Sequence, residues 1–277
     1  MTKPALPRMR IEVAGPNRFW VRQETRTVLL AKVARWNYGV HYLRLPGAVP
    51  VLPPITAASA RTAPSWPHQY ASWLATAPGP LHAGWWSLRA WQPPWPESVW
   101  RREVADADPV GYLDWLEGWQ GVVPMRRLPA ADEGRVKAYR KLAQEGLLPP
   151  LLLWWISGLD GWLLLDGHAR LAAALAERLI PPMLSLYLAP SPVQIDEAIT
   201  NAMWHDSVTA EGLEHARRAG RAGVDSAVRV QQRHFAGVYA AIPSERERTR
   251  AWPLPGGVPA WQNAATAAPP GWPTDPG

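Results

Sequence analysis

The chain has no cysteine and only two phenylalanines among its 277 residues. Without cysteine there are no disulfides, no thiolate metal ligands and no cysteine nucleophile, so packing must hold the fold. A long apolar run is also missing, because prolines, glycines and an aspartate interrupt the most apolar stretch, Leu147 to Leu165. The first ten residues lack the apolar core of a signal peptide. The sequence therefore predicts a cytoplasmic protein with no membrane span.

Proline, tryptophan and positive charge are abundant instead, with 31 prolines, 18 tryptophans and a formal net charge of +6. A basic chain is compatible with nucleic acid, a nucleotide or an acidic protein as partner, but the charge does not select among them. Indole rings can stack on bases, yet core packing is the more common role of tryptophan. Composition alone therefore leaves the ligand open.

The first 110 residues predict a β-rich region that continues into an irregular connection rich in tryptophan and proline. Short apolar runs separated by Gly, Pro and Asn turns indicate a β meander. The predicted strands are Arg10–Val13, Phe19–Arg22, Thr27–Leu30 and Val40–Leu43. The prolines between Pro46 and Pro96 disfavour long helices and central strands there. A short helix is predicted from Pro109 to Trp119.

Residues 111–190 predict a compact core with a mixed sheet. Helical periodicity indicates helices over Glu133–Glu145 and Ala169–Glu177. Short apolar runs indicate buried strands. These strands are Val122–Met125, Leu151–Ile156, Trp162–Leu165 and Met183–Leu188. The predicted fold class is α+β.

Residues 191–243 predict a helical C-terminal region, and residues 244–277 a tail that is first charged and then rich in Pro, Gly and Ala. The three predicted helices are Val193–Trp204, Thr209–Arg221 and Val224–Ala241. The tail beyond Ala264 is expected to be disordered unless its tryptophans dock onto the fold.

The most informative segment is Asp166-Gly167-His168-Ala169-Arg170, where a buried strand turns into a helix. The first turn of a helix offers free backbone amides and the positive end of the helix dipole, and glycine lets a phosphate approach the backbone. We therefore expect Gly167, His168 and Ala169 to surround a phosphate that Arg170 holds. In the simpler alternative, Asp166 only caps the helix, Gly167 only forms a turn and Arg170 is a surface charge.

The order of residues around this turn resembles the ParB/sulfiredoxin-like superfamily, in which a strand leads through an Asp-Gly-His-His-Arg-like turn into an alanine-rich helix. The flanking segments Arg126–Pro129, Leu147–Leu151 and Ile180–Pro182 also resemble the family, and the likeness covers about a quarter of the chain. It implies a ParB/sulfiredoxin-like core that binds ATP, ADP or CTP, with or without Mg²⁺. No metal ligands are predicted in the chain itself.

The family's activities are nucleotide-gated DNA clamping, phosphoryl transfer and sulfinic acid repair. The repair reaction uses a cysteine in the turn, which excludes it here. In phosphoryl transfer or NTP hydrolysis, Asp166 or His168 would serve as general base or hold a metal, and Arg170 would stabilise the developing phosphate charge. The segment Ile195–Asp206 partly resembles the part that follows the ParB core, but no helix-turn-helix is recognisable after it. The resemblance therefore implies a nucleotide-binding protein, with phosphotransferase or hydrolase activity left open.

Two other functions fit the sequence. A catalytically inactive interaction protein, either an immunity-like or a regulatory partner, is one alternative, because only the location of Asp132 and Glu133 suggests a second acid. A DNA-binding regulator or nuclease is the other, because Arg217, Arg218 and Arg221 could contact phosphates. The same arginines could equally form a solvated helix face. The expected partners are a nucleotide, a protein or DNA, and no membrane.

Overall fold

The computed structural model describes residues 6–34, 38–62, 65–104, 109–115, 121–242, 248–266, 268–270 and 272. The chain forms two compact units, one of residues 1–187 with 248–277 and one of residues 188–247. Strands and helices both contribute to the larger unit, which confirms the predicted α+β class.

The first sheet contains the predicted meander. Its strand order is β11-β1-β2-β3-β4-β6, and strands β1 to β4 pair antiparallel in sequence order. Apolar side chains occupy most of these strands, and the sheet is largely buried. The strands are β1 Met9–Val13, β2 Arg18–Gln23, β3 Arg26–Val33, β4 Gly39–Arg44, β6 Val110–Asp114 and β11 Ala251–Pro253.

The prediction of a helix from Pro109 is wrong, because Val110–Asp114 forms strand β6, antiparallel to β4. Gly111 lies against the ring of Tyr42, where an added Cβ would come within 2.4 Å of the ring carbon Cε1. Pairing with β4 therefore decides the conformation that local periodicity left ambiguous. Residues 116–119 of the predicted helix lie outside the described residues.

The second sheet has the order β5-β10-β8-β9-β7 and contains the strands predicted for the core. Strand β7 runs parallel to β9, β9 antiparallel to β8, and β8 parallel to β10. Every residue of β8 and β9 is buried, as expected for nearly continuous apolar runs. The strands are β5 Trp85–Trp91, β7 Val122–Pro124, β8 Leu151–Ile156, β9 Gly161–Asp166 and β10 Met183–Ala189.

Helices α4 Gly134–Gln144 and α5 His168–Ala176 confirm the two predicted core helices, and they pack against each other. The stretch between Pro46 and Pro96, predicted as irregular, is more ordered than expected. Besides β5 it contains helices α1 Ala57–Thr62 and α2 Trp66–Leu74, and α3 Glu97–Trp100 follows it. Through β5, residues of the predicted N-terminal region join the second sheet, while β6 joins the first.

The second unit contains helices α6 Pro192–Arg218 and α7 Val224–Ala241. Ser191 and Gln194 form a capping box at the start of α6. Two helices were predicted over the range of α6, but a single helix runs through the expected break. In the part of the chain that the structure describes, none of the helices has the length and apolar character of a membrane span.

The tail docks on the first sheet. Strand β11 pairs in parallel with β1, and helix α8 Gly257–Ala265 follows it. Trp261 of α8 is buried and donates a hydrogen bond from Nε1 to the carbonyl of Phe19 at 3.1 Å. The ring of Trp272 is also buried, 5.9 Å from that of Trp261. Docking by tryptophan, which the sequence left conditional, thus orders the described part of the tail.

Candidate functional site

The predicted turn between a buried strand and a helix is present, with β9 ending at Asp166 and α5 beginning at His168. Gly167 joins them with φ +106°, a left-handed conformation that favours glycine. A Cβ at this position would also lie 2.8 Å from a methyl carbon of Leu151. Both the backbone angle and the close approach therefore explain the glycine. The first amides of a helix have no acceptor within the helix itself, and α5 begins directly after this glycine.

Arg170 does not hold the position that we expected of a phosphate ligand. Its side chain turns inward, and the residue is only 2% exposed. Nη2 donates to the carboxylate of Asp166, while Nη1 donates at 2.5 Å to the hydroxyl of Tyr70 and to the carbonyl of Pro150. Arg170 therefore holds the turn in place from inside the protein. An anion that binds at this turn must be contacted by other cations.

The carboxyl of Asp166 belongs to the same buried network. Burial raises its pKa, and the positive charges of Arg170, Arg126 and Arg135 oppose that shift. Burial also raises the pKa of Tyr70 to about 12, so its hydroxyl keeps its proton. The network of Asp166, Arg170 and Tyr70 thus positions the turn by pairing each charge with a partner inside the protein.

His168 is only 5% exposed, and its imidazole faces Arg126. Its Nε2 accepts a hydrogen bond from the backbone amide of Arg126 at 3.1 Å. Burial, together with the charges of Arg126, Arg170 and Arg44, lowers the pKa of His168 well below 6.5, so the ring is neutral. A neutral imidazole whose Nε2 accepts carries its hydrogen on Nδ1. The ring therefore presents an N–H donor at Nδ1.

This Nδ1–H lies opposite another donor, because Nη2 of Arg126 is 3.2 Å away. A guanidinium has no acceptor to offer, and a neutral imidazole has only one acceptor for the two donors of Arg126, its backbone amide and Nη2, so in either tautomer one ring N–H faces a donor. Nε of Arg126 is buried as well and has no hydrogen-bond partner within the described ranges. Burial lowers the pKa of Arg126 and Asp166 opposes that shift. The guanidinium and the imidazole thus form a donor cluster that lacks an acceptor.

The donor cluster lines a cavity of about 300 Å³. The turn and the start of α5 form its floor, and two further arginines, Arg127 and Arg135, contribute to its wall. Glu133 also lines it, but its carboxylate accepts from the backbone amide of Ala130 at 3.0 Å. Apolar lining comes from Pro50, Leu52, Pro53, Pro54, Ile55, Pro129 and Tyr139. Because Asp166 is paired internally, the cavity presents a net positive charge.

Ala169, the remaining predicted residue of the turn, is partly exposed and lines the same cavity. The sequence prediction therefore located the turn correctly but missed Arg126, Arg127 and Arg135. A signal for the first two was available, since Arg126 and Arg127 follow β7 and the turn follows β9. Strands β7 and β9 are parallel neighbours, so their carboxyl ends lie at the same sheet edge.

The geometry favours binding over the predicted catalytic roles. The carboxylate of Asp166 pairs with Arg170, and the lone pair of His168 at Nε2 is used by a backbone amide. The role of either residue as general base stays a prediction. The described part of the chain also contains no group of three or more His, Asp or Glu side chains that could hold a metal.

The other predicted anion site lies in the second unit. Arg217 pairs with Glu214 and Asp225, and Arg218 pairs with Glu214. Arg221 is exposed in the turn after α6. These ion pairs neutralise part of the surface that the sequence suggested for DNA or RNA, so the cavity at α5 is the stronger candidate.

Comparisons of this chain with protein-family models, with curated proteins and with solved structures each gave no match.

Proposed function

We propose that this chain binds a nucleotide through its phosphates, in the cavity at the start of α5. The donor cluster of Arg126 and His168 carries the proposal. The buried imidazole N–H of His168 and the buried Nε of the half-buried Arg126 both lack an acceptor within the described residues, and an oxygen-rich ligand would satisfy both. The resemblance of the turn to the ParB/sulfiredoxin-like superfamily supports the same class of ligand.

A phosphate group meets the requirements of this cavity. Its oxygens can accept from Arg126 and from Nδ1–H of His168, while the first amides of α5 and the helix dipole favour the negative charge. Arg127 and Arg135 add positive charge at the wall. Each hydrogen bond to a charged group contributes about 1.5–3 kcal/mol, which corresponds to roughly a 10- to 100-fold change in affinity.

A reaction on the bound nucleotide is a finer proposal than binding. Hydrolysis or phosphoryl transfer requires a group that orients or deprotonates the nucleophile. Glu133 lines the cavity, and its location makes it a candidate for that role beside Asp166 and His168. We therefore rest the functional conclusion on binding, and treat phosphotransferase or NTP hydrolase activity as its extension.

Isothermal titration calorimetry with ATP, ADP, CTP and GTP tests the proposal. At least one nucleotide should bind the natural chain, and Arg126→Gln should weaken that binding at least about tenfold. Arg102→Gln is the matched control, since Arg102 is exposed on a short 3-10 turn and does not line the cavity. Unchanged affinity in a folded Arg126→Gln variant would contradict the proposed site.

A protein partner is the second candidate, and exposed apolar side chains on α6 favour it. Met203 and Trp204 are each 60% exposed, and Val193 is 65% exposed. Exposed groups of this size are typical of interaction surfaces when they are contiguous. This function becomes the better one if no nucleotide binds and Trp204→Ala lowers the mass that light scattering measures in solution.

A further inference from the structure

A second and larger cavity, of about 920 Å³, adjoins the one at the start of α5. The two share the lining residues Arg126, Arg127 and Pro129, so the same short segment borders both. That segment belongs to the connection between β7 and α4. The two cavities therefore share a border at this segment, and together they are called the groove below.

The groove runs along α5. Residues 166–170 line the first cavity, while Ala172, Leu175 and Ala176 line the second. With a rise of 1.5 Å per residue, the helix carries the groove about 10 Å from His168 to Leu175. The end of β4 and the chain that follows it form another wall, with residues 44–48 in the second cavity, and Pro50 and residues 52–55 in the first.

The chemical character of the groove changes along this length. The start of α5 and Arg135 line only the first cavity, Arg126 and Arg127 border both, and most of the side chains that line the second cavity are apolar. Leu45, Met125, Leu128, Ala172, Leu175 and Ala176 are among them. Arg44 is the charged side chain that the second cavity does not share with the first, and Nη1 of Arg44 donates to the carbonyl of Arg126 at 3.5 Å.

A ligand that fits both parts is anionic at one end and has apolar surface at the other. Inorganic phosphate would leave the second cavity unused. Ligand sites in proteins are mostly apolar, with a few polar groups that fix the orientation of the ligand. The groove likewise combines a mainly apolar lining with polar groups at the start of α5. A nucleoside di- or triphosphate has the required two ends, joined by a ribose.

We propose that the base and ribose of the nucleotide lie in the second cavity, against Leu175 and Ala176. This inference rests on the proposed function, which places the phosphates in the first cavity. The walls from residues 44–48 belong to the chain that leaves the first sheet, so both sheets contribute to the site. An apolar wall contacts the faces of a base but does not read its edges, so the site should discriminate weakly among bases.

Substitution at Ala176 tests the inference. Ala176 is exposed at the end of α5 and lines the second cavity, so Ala176→Trp should obstruct the base while α5 keeps its fold. Calorimetry should show ATP binding weakened at least about tenfold, with tripolyphosphate binding unchanged. Ala138→Trp is the matched control, because Ala138 is exposed on α4 and lines neither cavity.

Several outcomes separate this inference from the proposed function. If neither ATP, GTP, CTP, UTP nor tripolyphosphate binds the natural chain, the proposed function fails and the inference fails with it. If tripolyphosphate binds as tightly as ATP, or if Ala176→Trp weakens both equally or neither, only the placement of the base is overturned. An affinity that differs by more than about 100-fold among the four nucleotides would overturn the weak discrimination.

Discussion

Two clusters of polar side chains in the larger unit differ in how completely their donors are satisfied. In the first sheet, Glu12 is 2% exposed and accepts from Arg10, Trp20 and Arg22 at 2.7, 2.6 and 2.9 Å. At the start of α5, the donors of Arg126 and His168 face each other instead. A cluster that is closed on itself stabilises the fold, whereas a cluster with an excess of donors is suited to an anion from outside.

The largest expected effect follows from opening the closed cluster. Glu12→Gln removes the charge that Arg10 and Arg22 share, and loss of one partner from a buried ion pair costs about 3–5 kcal/mol. We expect the free energy of unfolding, measured with urea, to fall by about 3 kcal/mol. Glu24→Gln is the control, since its ion pair with Arg8 is exposed and should contribute less than about 1 kcal/mol. Equal effects of the two substitutions would contradict the comparison.

A smaller effect concerns pH and His168. Burial and the nearby arginines lower the pKa of His168 in the folded chain, whereas the unfolded chain protonates it near 6.5. Above pH 6.5 the imidazole of His168 is neutral in both the folded and the unfolded chain, so its titration does not change stability in that range. As pH falls below 6.5 the unfolded state takes up a proton and stability is lost. The urea midpoint of His168→Gln should therefore fall less between pH 7 and about pH 5.5 than that of the natural chain.

The control for this pH effect is His205→Gln, because His205 is exposed on α6. The urea midpoint of His205→Gln should change with pH as that of the natural chain does, between pH 7 and about pH 5.5. A parallel decline in the His168→Gln variant would show that the imidazole is not held neutral in the folded protein.

The smallest expected effect is the loss of Arg126. Arg126→Met removes a guanidinium that pays desolvation without an acceptor, so stability without ligand should change by less than about 1 kcal/mol or increase. Urea unfolding of the ligand-free protein measures this. A loss comparable to that of Glu12→Gln would mean that Arg126 is satisfied within the fold and would remove the contrast between the clusters.

The sequence predicted four of the five strands of the second sheet and its two helices, because long apolar runs and helical periodicity are strong local signals. Strand β6 was mistaken for a helix because its pairing with β4, not its own pattern, decides its conformation. Strand β5 was missed because prolines flank it closely in the sequence. Tertiary pairing thus overrode the local signal at both places.

In the candidate site, too, the sequence predicted what depends on neighbouring residues and missed what depends on distant ones. A strand, a glycine and a helix in sequence order predicted the turn, and the left-handed Gly167 confirms why a glycine is needed. The direction of Arg170 could not be predicted, because Tyr70, which binds it, lies 100 residues earlier. The donor cluster depends likewise on Arg126 and His168, which are 42 residues apart.

The docked tail has a consequence for the order in which the fold assembles. Strand β11 covers the edge of β1, and the bond from Trp261 to Phe19 joins residues 242 positions apart. Closing so long a loop is entropically expensive, and contacts of this kind slow folding. During synthesis the meander would present an unpaired β1 edge until strand β11 has left the ribosome, which makes nascent protein vulnerable to aggregation through that edge.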